Sequence, residues 1–155
     1  MKKYELTEET VTVYGKTLYR IRAVRDFGSV KTGEFGGYIE KEENLSHFGN
    51  AWISGDAWVY GDAWVYGNAW VYGNAEVFNT RHFFVQGPIG SRDGYVTFYR
   101  TKDDTVEVRC GCFSGSLQEF VNQVEETHGG SRYEKEYKLA AELAKVCIRL
   151  EGESR

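Results

Sequence analysis

A six-residue repeat constrains the fold of this 155-residue chain more than any other feature of its sequence. Residues 51–80 divide into the hexads AWISGD, AWVYGD, AWVYGN, AWVYGN and AEVFNT. Residues 45–50 are a weaker copy and residues 39–44 a degraded one, so the repeat is less regular where the array begins. A period of six places no continuous apolar stripe on a helix of about 3.6 residues per turn, which excludes a helical array.

Each hexad contains a short strand and a turn. Along the strand the side chains alternate, so the central Val points inward while the flanking Trp and Tyr point outward. The Gly-Asp and Gly-Asn steps suit a tight corner, because Gly, Asn and Asp tolerate positive φ. With three hexads in one coil, residue n stacks on residue n+18, which predicts these pairs: His47 with Val65, Trp52 with Trp70, Ile53 with Val71, and Val59 with Val77.

The pattern resembles the hexapeptide repeat of left-handed parallel β-helices, and it predicts a short β-helix over residues 39–82. A meander of short antiparallel hairpins is the structural alternative, since Trp-Val-Tyr followed by Gly-Asp can also form two-residue turns. An array this short exposes both of its open ends, so it needs caps or partners.

The outward surface of the array is unusually aromatic. Its segment from residue 45 to residue 80 contains no Lys or Arg, so a surface that wraps DNA or RNA is not expected. Rings in this number need a cover, which is either a second subunit or the flanking elements of the same chain. Six of them are the predicted oligomer interface: Trp52, Trp58, Trp64, Trp70, Tyr60 and Tyr66.

The flanks of the array predict a small cap on each side. Residues 10–24 form a hairpin about Gly15-Lys16, and residues 31–38 are a flexible lead-in to the array. Residues 95–100 and 105–110 form a second hairpin. Two helices follow, each opened by a Ser-x-x-Glu capping box at Ser116 or Ser131, and the first stops at residues 128–130.

The expected fold is therefore mainly β. It has an N-terminal β-rich cap over residues 1–38, the β-helix over 39–82, and a C-terminal α+β domain over 83–155 with a hairpin and two helices. The second helix carries two adjacent apolar stripes, so it should pack on its own domain and on a neighbour. We therefore expect a homo-oligomer, with a trimer favoured.

Composition bounds the remaining function classes. The net charge is −4, and no apolar run approaches the length of a membrane span, so a cytoplasmic protein without membrane association is expected. Three cysteines without an export signal predict reduced thiols. Cys110 and Cys112 have no second ligand pair at metal spacing, so neither a metal nor a cofactor is expected.

No catalytic residues are assigned from the sequence. Many β-helical hexapeptide proteins are acyltransferases with a His base, which makes His47, His82 and His128 the residues to consider. His47 falls at an inward position and His128 at a helix end, and both have ordinary structural explanations. The sequence lacks a phosphate-binding loop, a dinucleotide fingerprint and a Ser-His-Asp arrangement, so an enzyme is the less favoured interpretation.

The loop at residues 87–92 (GPIGSR) is the best candidate for a ligand site. Its glycines can present backbone N–H groups, and Arg92 can hold a phosphate or a carboxylate through two hydrogen bonds. Phosphate donors beside aromatic rings suggest a nucleotide, while a plain turn with solvated arginines remains the alternative. The predicted ligand-binding residues are Gly90, Ser91, Arg92, Arg100, Arg109 and Phe113.

Several motifs together resemble a family of small hexapeptide-repeat proteins of phages and prophages. They are Gly33-x-x-Gly36-Gly37-Tyr38-Ile39, the Asn44-Leu45-Ser46 and Gly49-Asn50-Ala51-Trp52 steps, the 87–92 loop, and residues 110–115 (CGCFSG). The resemblance covers nearly the whole chain and implies a β-helix with a small α+β cap and a viral origin. It implies no reaction.

Three functions remain open from the sequence. The first is a non-enzymatic, oligomeric binding protein of phage type that sequesters a nucleotide immune signal in the host cytoplasm. The second is a structural or interaction module that docks a host or phage protein through its aromatic face. The third is acyl transfer.

Overall fold

A computed structural model describes residues 1–152 of the chain. The fold is mainly β, with several sheets and two helices near the C-terminus. The chain divides into two compact units, of which the first spans Met1–Thr80 and the second begins at Arg81. The first unit thus contains both the predicted N-terminal cap and almost the whole array.

The first unit opens with the predicted antiparallel hairpin. Strand β1 (Tyr4–Val13) pairs with strand β2 (Lys16–Ala23), and the turn lies at Gly15 as expected. Strand β1 starts earlier than the sequence pattern suggested, because its first residues pair with the far end of β2. Leu18 and Ile21 are fully buried and anchor the hairpin in the core.

The expected flexible lead-in before the array is instead a strand. Strand β3 (Phe35–Ile39) pairs antiparallel with β2 and parallel with residues 58–59 of the array, so it joins the hairpin to the repeats. Its glycines permit close packing: a Cβ at Gly36 would lie 2.5 Å from the Ile53 carbonyl oxygen. The Gly-Gly step therefore reflects close approach of two backbones, and the prediction of a flexible segment is wrong.

The repeats form short parallel strands. These are β4 (Trp52–Ile53), β5 (Trp58–Val59), β6 (Trp70–Val71) and β7 (Glu76–Val77). Strand β4 pairs with β6 and β5 pairs with β7, each in the predicted register, in which a hexad lies beside the third hexad after it. Parallel pairing excludes the antiparallel meander.

One predicted pair is wrong. Val65 bridges Leu45, and His47 is not its partner. Tyr38 and Trp58 are also paired two residues out of the hexad register, whereas Trp52 and Trp70 are in register. The chain therefore has two extra residues between Leu45 and Trp52. His47 leaves the array there and stacks on Tyr4, with ring centroids 4.1 Å apart.

The inside and the corners of the repeats follow the hexad pattern. Every corner glycine at positions 49, 55, 61, 67 and 73 has φ between 63° and 71°, the left-handed region that a side chain with a Cβ disfavours. The third-position and first-position residues of the hexads from 51 to 77 are at most 2 % exposed and form the core: Ile53, Val59, Val65, Val71 and Val77, with Ala51, Ala57, Ala63, Ala69 and Ala75.

The second unit is an antiparallel sheet with two helices. Its strands are β8 (Phe83–Ile89), β9 (Gly94–Arg100), β10 (Val106–Cys110) and β11 (Phe113–Ser116), in the order β11-β10-β9-β8. The predicted hairpin is the β9–β10 pair. The sequence pattern did not predict β8 and β11, and because β8 runs through Ile89, the predicted 87–92 loop shrinks to residues 90–93.

Helix α1 (Leu117–His128) and helix α2 (Arg132–Cys147) begin after the predicted serines. The capping box at Ser116 is confirmed: its hydroxyl accepts from the Glu119 N–H, and the Glu119 carboxylate accepts from the Ser116 N–H. The box predicted at Ser131 is wrong. In the tight link between the helices, the Ser131 hydroxyl donates to the His128 carbonyl, and the Glu134 carboxylate accepts from the Gly130 N–H.

The core of the second unit lies between the sheet and the two helices. Phe120 is at its centre, with the rings of Phe98, Phe113 and Tyr137 between 5.7 and 5.9 Å from its own. The opposite stripe of α2 is exposed, with Leu139 and Val146 about 70 % accessible. Neither helix of the described residues is long and apolar enough to cross a membrane.

Candidate functional site

A cleft of about 450 Å³ lies within the second unit. The β8–β9 loop, the β10–β11 turn, the end of α1 and the middle of α2 supply its walls. Its volume falls in the range of small-molecule sites. It is lined by Ile89, Ser91, Arg92, Gly94, Tyr95, Val96, Cys110, Gly111, Cys112, His128 and Tyr137.

The β8–β9 loop is fixed to helix α2. The Gly90 N–H donates to the Glu136 carboxylate over 2.7 Å. Gly90 has φ +81°, and a Cβ at this position would lie only 1.9 Å from the Tyr137 hydroxyl oxygen, so only glycine fits here. The loop therefore holds the exposed Ser91 and Arg92 beside the cleft on a pinned backbone.

Aromatic side chains form much of the wall. The Tyr95 ring rests against Gly87, where a Cβ would come within 2.4 Å of the ring, and 42 % of the residue is exposed. Tyr137 packs edge-on against Phe120, and its ring centroid is 5.5 Å from that of His128. The rings are thus supported from behind, which suits stacking on a flat ligand.

Cys110 and Tyr137 lie together in the cleft and are hydrogen-bonded to each other. Burial raises the pKa of the Cys110 thiol, against the opposing effect of the Tyr137 hydrogen bond. Burial also raises the pKa of the Tyr137 hydroxyl, and the neighbouring thiol raises it further. Both groups therefore keep their protons at neutral pH, which makes Cys110 a poor nucleophile. Cys110, Cys112 and Cys147 form no disulfide within the described residues.

The structure brings only part of the predicted ligand site together. Ser91 and Arg92 line the cleft, and Gly90 supports it from behind. Arg100 lies elsewhere: it is 6 % exposed and donates to Asp104 over 2.9 Å. Asp104 in turn accepts from the Glu151 and Gly152 N–H groups, which lowers the pKa of its carboxyl group. Arg100 is therefore part of a group of hydrogen bonds around Asp104 and does not line the cleft.

Arg109 and Phe113 are also outside the cleft. Cys110, which lines the cleft, is the next residue along β10, and successive strand residues face opposite sides of a sheet. Arg109 therefore lies on the sheet face away from the cleft. Phe113 packs on Phe120 in the core. The structure therefore does not bring these residues to the cleft, because proximity in sequence does not give a shared face.

Sequence reasoning did not assign His128 and Tyr137 to the site. Both carry ordinary helical signals, since His128 ends α1 and Tyr137 belongs to the apolar stripe of α2. Nothing local in the sequence marks them, because the cleft forms only when the helices pack beside the 90–93 loop. Tyr95, a ring close to the loop in sequence, does line the cleft.

Fewer of the six rings predicted at an oligomer interface are exposed than the sequence suggested. Trp52 is 1 % exposed and packs edge-on against Phe27, and Tyr60 is 4 % exposed with its hydroxyl donating to Glu76. Trp58 and Trp70 are half-buried. Other residues of the same chain, rather than a second subunit, therefore cover Trp52 and Tyr60. Trp64 and Tyr66 are about half exposed and stack with their ring centroids 4.5 Å apart.

His47 and His82 lie outside the cleft. His47 accepts from the Lys3 N–H through Nδ1, and its Nε2 lies 2.8 Å from the Glu42 carboxylate. His82 is fully buried. Neither geometry suits a general base open to substrate. Among residues 1–152, no three His, Cys, Asp or Glu side chains are grouped as a metal site.

No protein-family model matches this chain, and no curated protein matches it.

Proposed function

We propose that this protein binds a small nucleotide in the cleft and does not transform it. The observation that carries the proposal is the convergence of Arg92, a pinned glycine-containing loop and supported tyrosine rings on one cleft. An arginine offers a planar pair of donors to a phosphate, and aromatic rings stack on a base. The protonated Cys110 and Tyr137 support binding over covalent chemistry.

The wider context of the proposal is a phage protein with a left-handed parallel β-helix. Parallel pairing between a hexad and the third hexad after it, with positive φ at each corner glycine, supports the β-helix. The viral origin depends on the motifs given above. In that context, retention of a nucleotide without turnover would remove a host immune signal from the cytoplasm.

The proposed protein is also a homo-oligomer, with a trimer favoured. Exposed apolar side chains support assembly, both at the Trp64–Tyr66 pair and along α2 at Leu139, Leu143 and Val146. Light scattering at micromolar concentration should give a mass above that of one chain, and Trp64→Asp should lower it. A clean monomer would remove assembly from the proposal.

The binding proposal is tested by retention. The purified protein is incubated with nucleoside monophosphates, cyclic mononucleotides, cyclic dinucleotides, and cyclic or modified ADP-ribose species. It is then washed and heated, and the released material is analysed by mass spectrometry. An intact nucleotide is the expected result. A cleaved product would make the protein a hydrolase, and no retention of any compound would contradict the proposal.

Arg92→Ala tests the site itself. We expect the variant to lose retention without a change in folding, because Arg92 is exposed and carries no part of the core. Lys145→Ala is the matched control, since it removes an equal charge from a 51 % exposed side chain that pairs with Glu142 outside the cleft lining. Unchanged retention in the Arg92 variant would exclude the cleft.

A second candidate function is protein docking through the aromatic face. The exposed Trp64–Tyr66 stack supports it, together with a groove of about 440 Å³ that Trp64 lines beside Asp62 and Lys41. Trp64→Asp separates the two candidates, because it should abolish docking and leave nucleotide retention intact.

A further inference from the structure

The charges around the cleft limit the ligand that it can take. Of the described residues that line it, Arg92 alone carries a permanent charge. The loop that holds Arg92 also holds Asp93, which is exposed and has φ +51°. One arginine can satisfy one phosphate through two parallel hydrogen bonds.

A carboxylate opposes a second phosphate. Glu136 accepts from the Gly90 N–H at the base of the loop, and its other oxygen lies 3.9 Å from Arg132 Nε. Glu136 directly precedes Tyr137 on α2, and Tyr137 lines the cleft together with Arg92. The cleft therefore has a cation in its lining and a carboxylate bound at the base of the loop that holds this cation. Like charges repel, and among the described residues that line the cleft a second phosphate finds no second cation.

The aromatic side chains and the volume of the cleft indicate a ligand with one base. The Tyr95 ring packs on Gly87. Tyr137 packs between Phe120 and His128, and its hydroxyl lies next to Gly90. Tyr95 is thus the more exposed of the two rings, at 42 %. A cleft of about 450 Å³ lies toward the small end of ligand sites.

We infer that the ligand carries one phosphate group and one aromatic base, as a nucleoside monophosphate or a cyclic mononucleotide does. The inference rests on the proposed function, because it concerns the same cleft. Arg92 holds the phosphate, Tyr95 stacks on the base, and Glu136 selects against ligands with further phosphates.

A thermodynamic cycle tests the inference. Calorimetric titration compares a nucleoside, its 5′-monophosphate and its 5′-diphosphate on the wild-type protein and on Arg92→Ala, in parallel for the adenine, guanine and uracil series. In at least one series the first phosphate should raise the affinity about tenfold or more, as a charge-assisted hydrogen bond does. The second phosphate should add less than about twofold. Arg92→Ala should erase the gain from the first phosphate and leave the affinity for the nucleoside unchanged.

Two further variants sharpen the result. Glu136→Gln keeps an acceptor for the Gly90 N–H but removes the charge, so it should raise the affinity for the diphosphate more than that for the monophosphate. Tyr95→Ala should weaken all three ligands of a series by the same factor, because it removes the stacking partner of the base. Lys145→Ala serves again as the charge-matched control.

The outcomes separate the two proposals. A second phosphate that adds as much affinity as the first, or a phosphate gain that survives Arg92→Ala, overturns the inference. Tight binding of a cyclic dinucleotide with weak binding of mononucleotides also overturns it, while the proposed nucleotide binding stands. If no nucleoside or nucleotide of any kind binds, the proposed function itself fails.

Discussion

Strands three hexads apart lie side by side in the first unit because each hexad repeats the same inward Val, the same small residue and the same corner. In the second unit, no such repeat exists, and strands β8 to β11 pair as neighbours in an antiparallel sheet that two helices cover. The first unit buries a column of Val and Ala, whereas the second buries a cluster of rings around Phe120.

The two units also differ in what they leave open. Within the first unit, the hairpin and β3 lie beside the regular array, while the Trp64–Tyr66 pair stays exposed. The second unit joins four separate segments at one cleft. A repeat makes a uniform wall, while irregular packing makes a concave site with different groups on each side. This contrast is why the proposed binding site is in the second unit.

The largest expected effect is from Gly36→Val in the first unit. A Cβ at this position would lie 2.5 Å from the Ile53 carbonyl oxygen and 2.8 Å from the Trp52 ring, so β3 could not stay beside the repeats. The free energy of unfolding should fall by about 4 kcal/mol or more, measured by chemical denaturation.

Gly67→Ala is the control for Gly36→Val. Gly67 has φ +69° but no atom within 4 Å of its added Cβ, so strain alone should cost about 1 to 2 kcal/mol. Equal losses in the two variants would contradict the close-approach explanation.

In the second unit, Phe120→Ala should lower the free energy of unfolding by about 3 to 4 kcal/mol. Phe120 is 3 % exposed and contacts three other rings, so its removal leaves a cavity. Hydrogen exchange read by mass spectrometry should show lost protection in peptides of β9 and of both helices. Phe113→Ala, at a half-buried ring, should cost less than half as much. A loss for Phe113→Ala as large as that for Phe120→Ala would mean that the ring cluster is not centred on Phe120.

Lys3 gives the first unit a pH dependence. Its ammonium is buried, donates to the Ala51 carbonyl over 2.7 Å and lies 4.7 Å from the centre of the Phe27 ring. Burial, aided by Arg25, lowers the pKa of Lys3 to about 8. The unfolded chain then holds more protons above this pH, so stability rises with pH through the window above 8.

The test compares the wild-type protein with Lys3→Met at pH 7 and pH 10. The wild-type protein should gain about 2 kcal/mol relative to the variant over this interval. Parallel pH profiles for the two proteins would show that Lys3 keeps an ordinary pKa. Comparing the two proteins cancels the titration of other groups, such as Tyr4, whose pKa burial raises.

The smallest effect is expected at a corner of the array. Asp62 occupies the position that Asn68 and Asn74 hold in the next two hexads, so Asp62→Asn repeats a corner that the chain already uses. The free energy of unfolding should change by less than about 0.5 kcal/mol in thermal or chemical denaturation. A loss above about 1 kcal/mol would show that the corners are not equivalent.

The array was the most predictable part of the chain. The inward residues, the corner glycines and three of the four stacked pairs follow from the hexad alone. The pair of His47 with Val65 failed because two extra residues break the period before Trp52. A weak copy in the sequence marks where the array begins, but it does not say which residue takes the inward place.

The cleft was only partly predictable. The sequence pointed to Ser91 and Arg92, because a glycine-containing loop with an arginine has a local signature. Arg100 and Arg109 lie outside the cleft, since strand register and an ion pair with Asp104 decide which side they face. The sequence assigned neither His128 nor Tyr137, which reach the cleft through helix packing.

By itself, the sequence determined the features that repeat or that act within a few residues: the period of six, the corner glycines, the hairpin turn at Gly15 and the cap at Ser116. Tertiary structure alone decided which tryptophans are covered, how β3 joins the hairpin to the array, and which side chains share the cleft. The physical reason is the separation along the chain of the residues that interact. Corner dihedrals and caps depend on neighbouring residues, whereas burial and convergence depend on contacts between segments far apart in the chain.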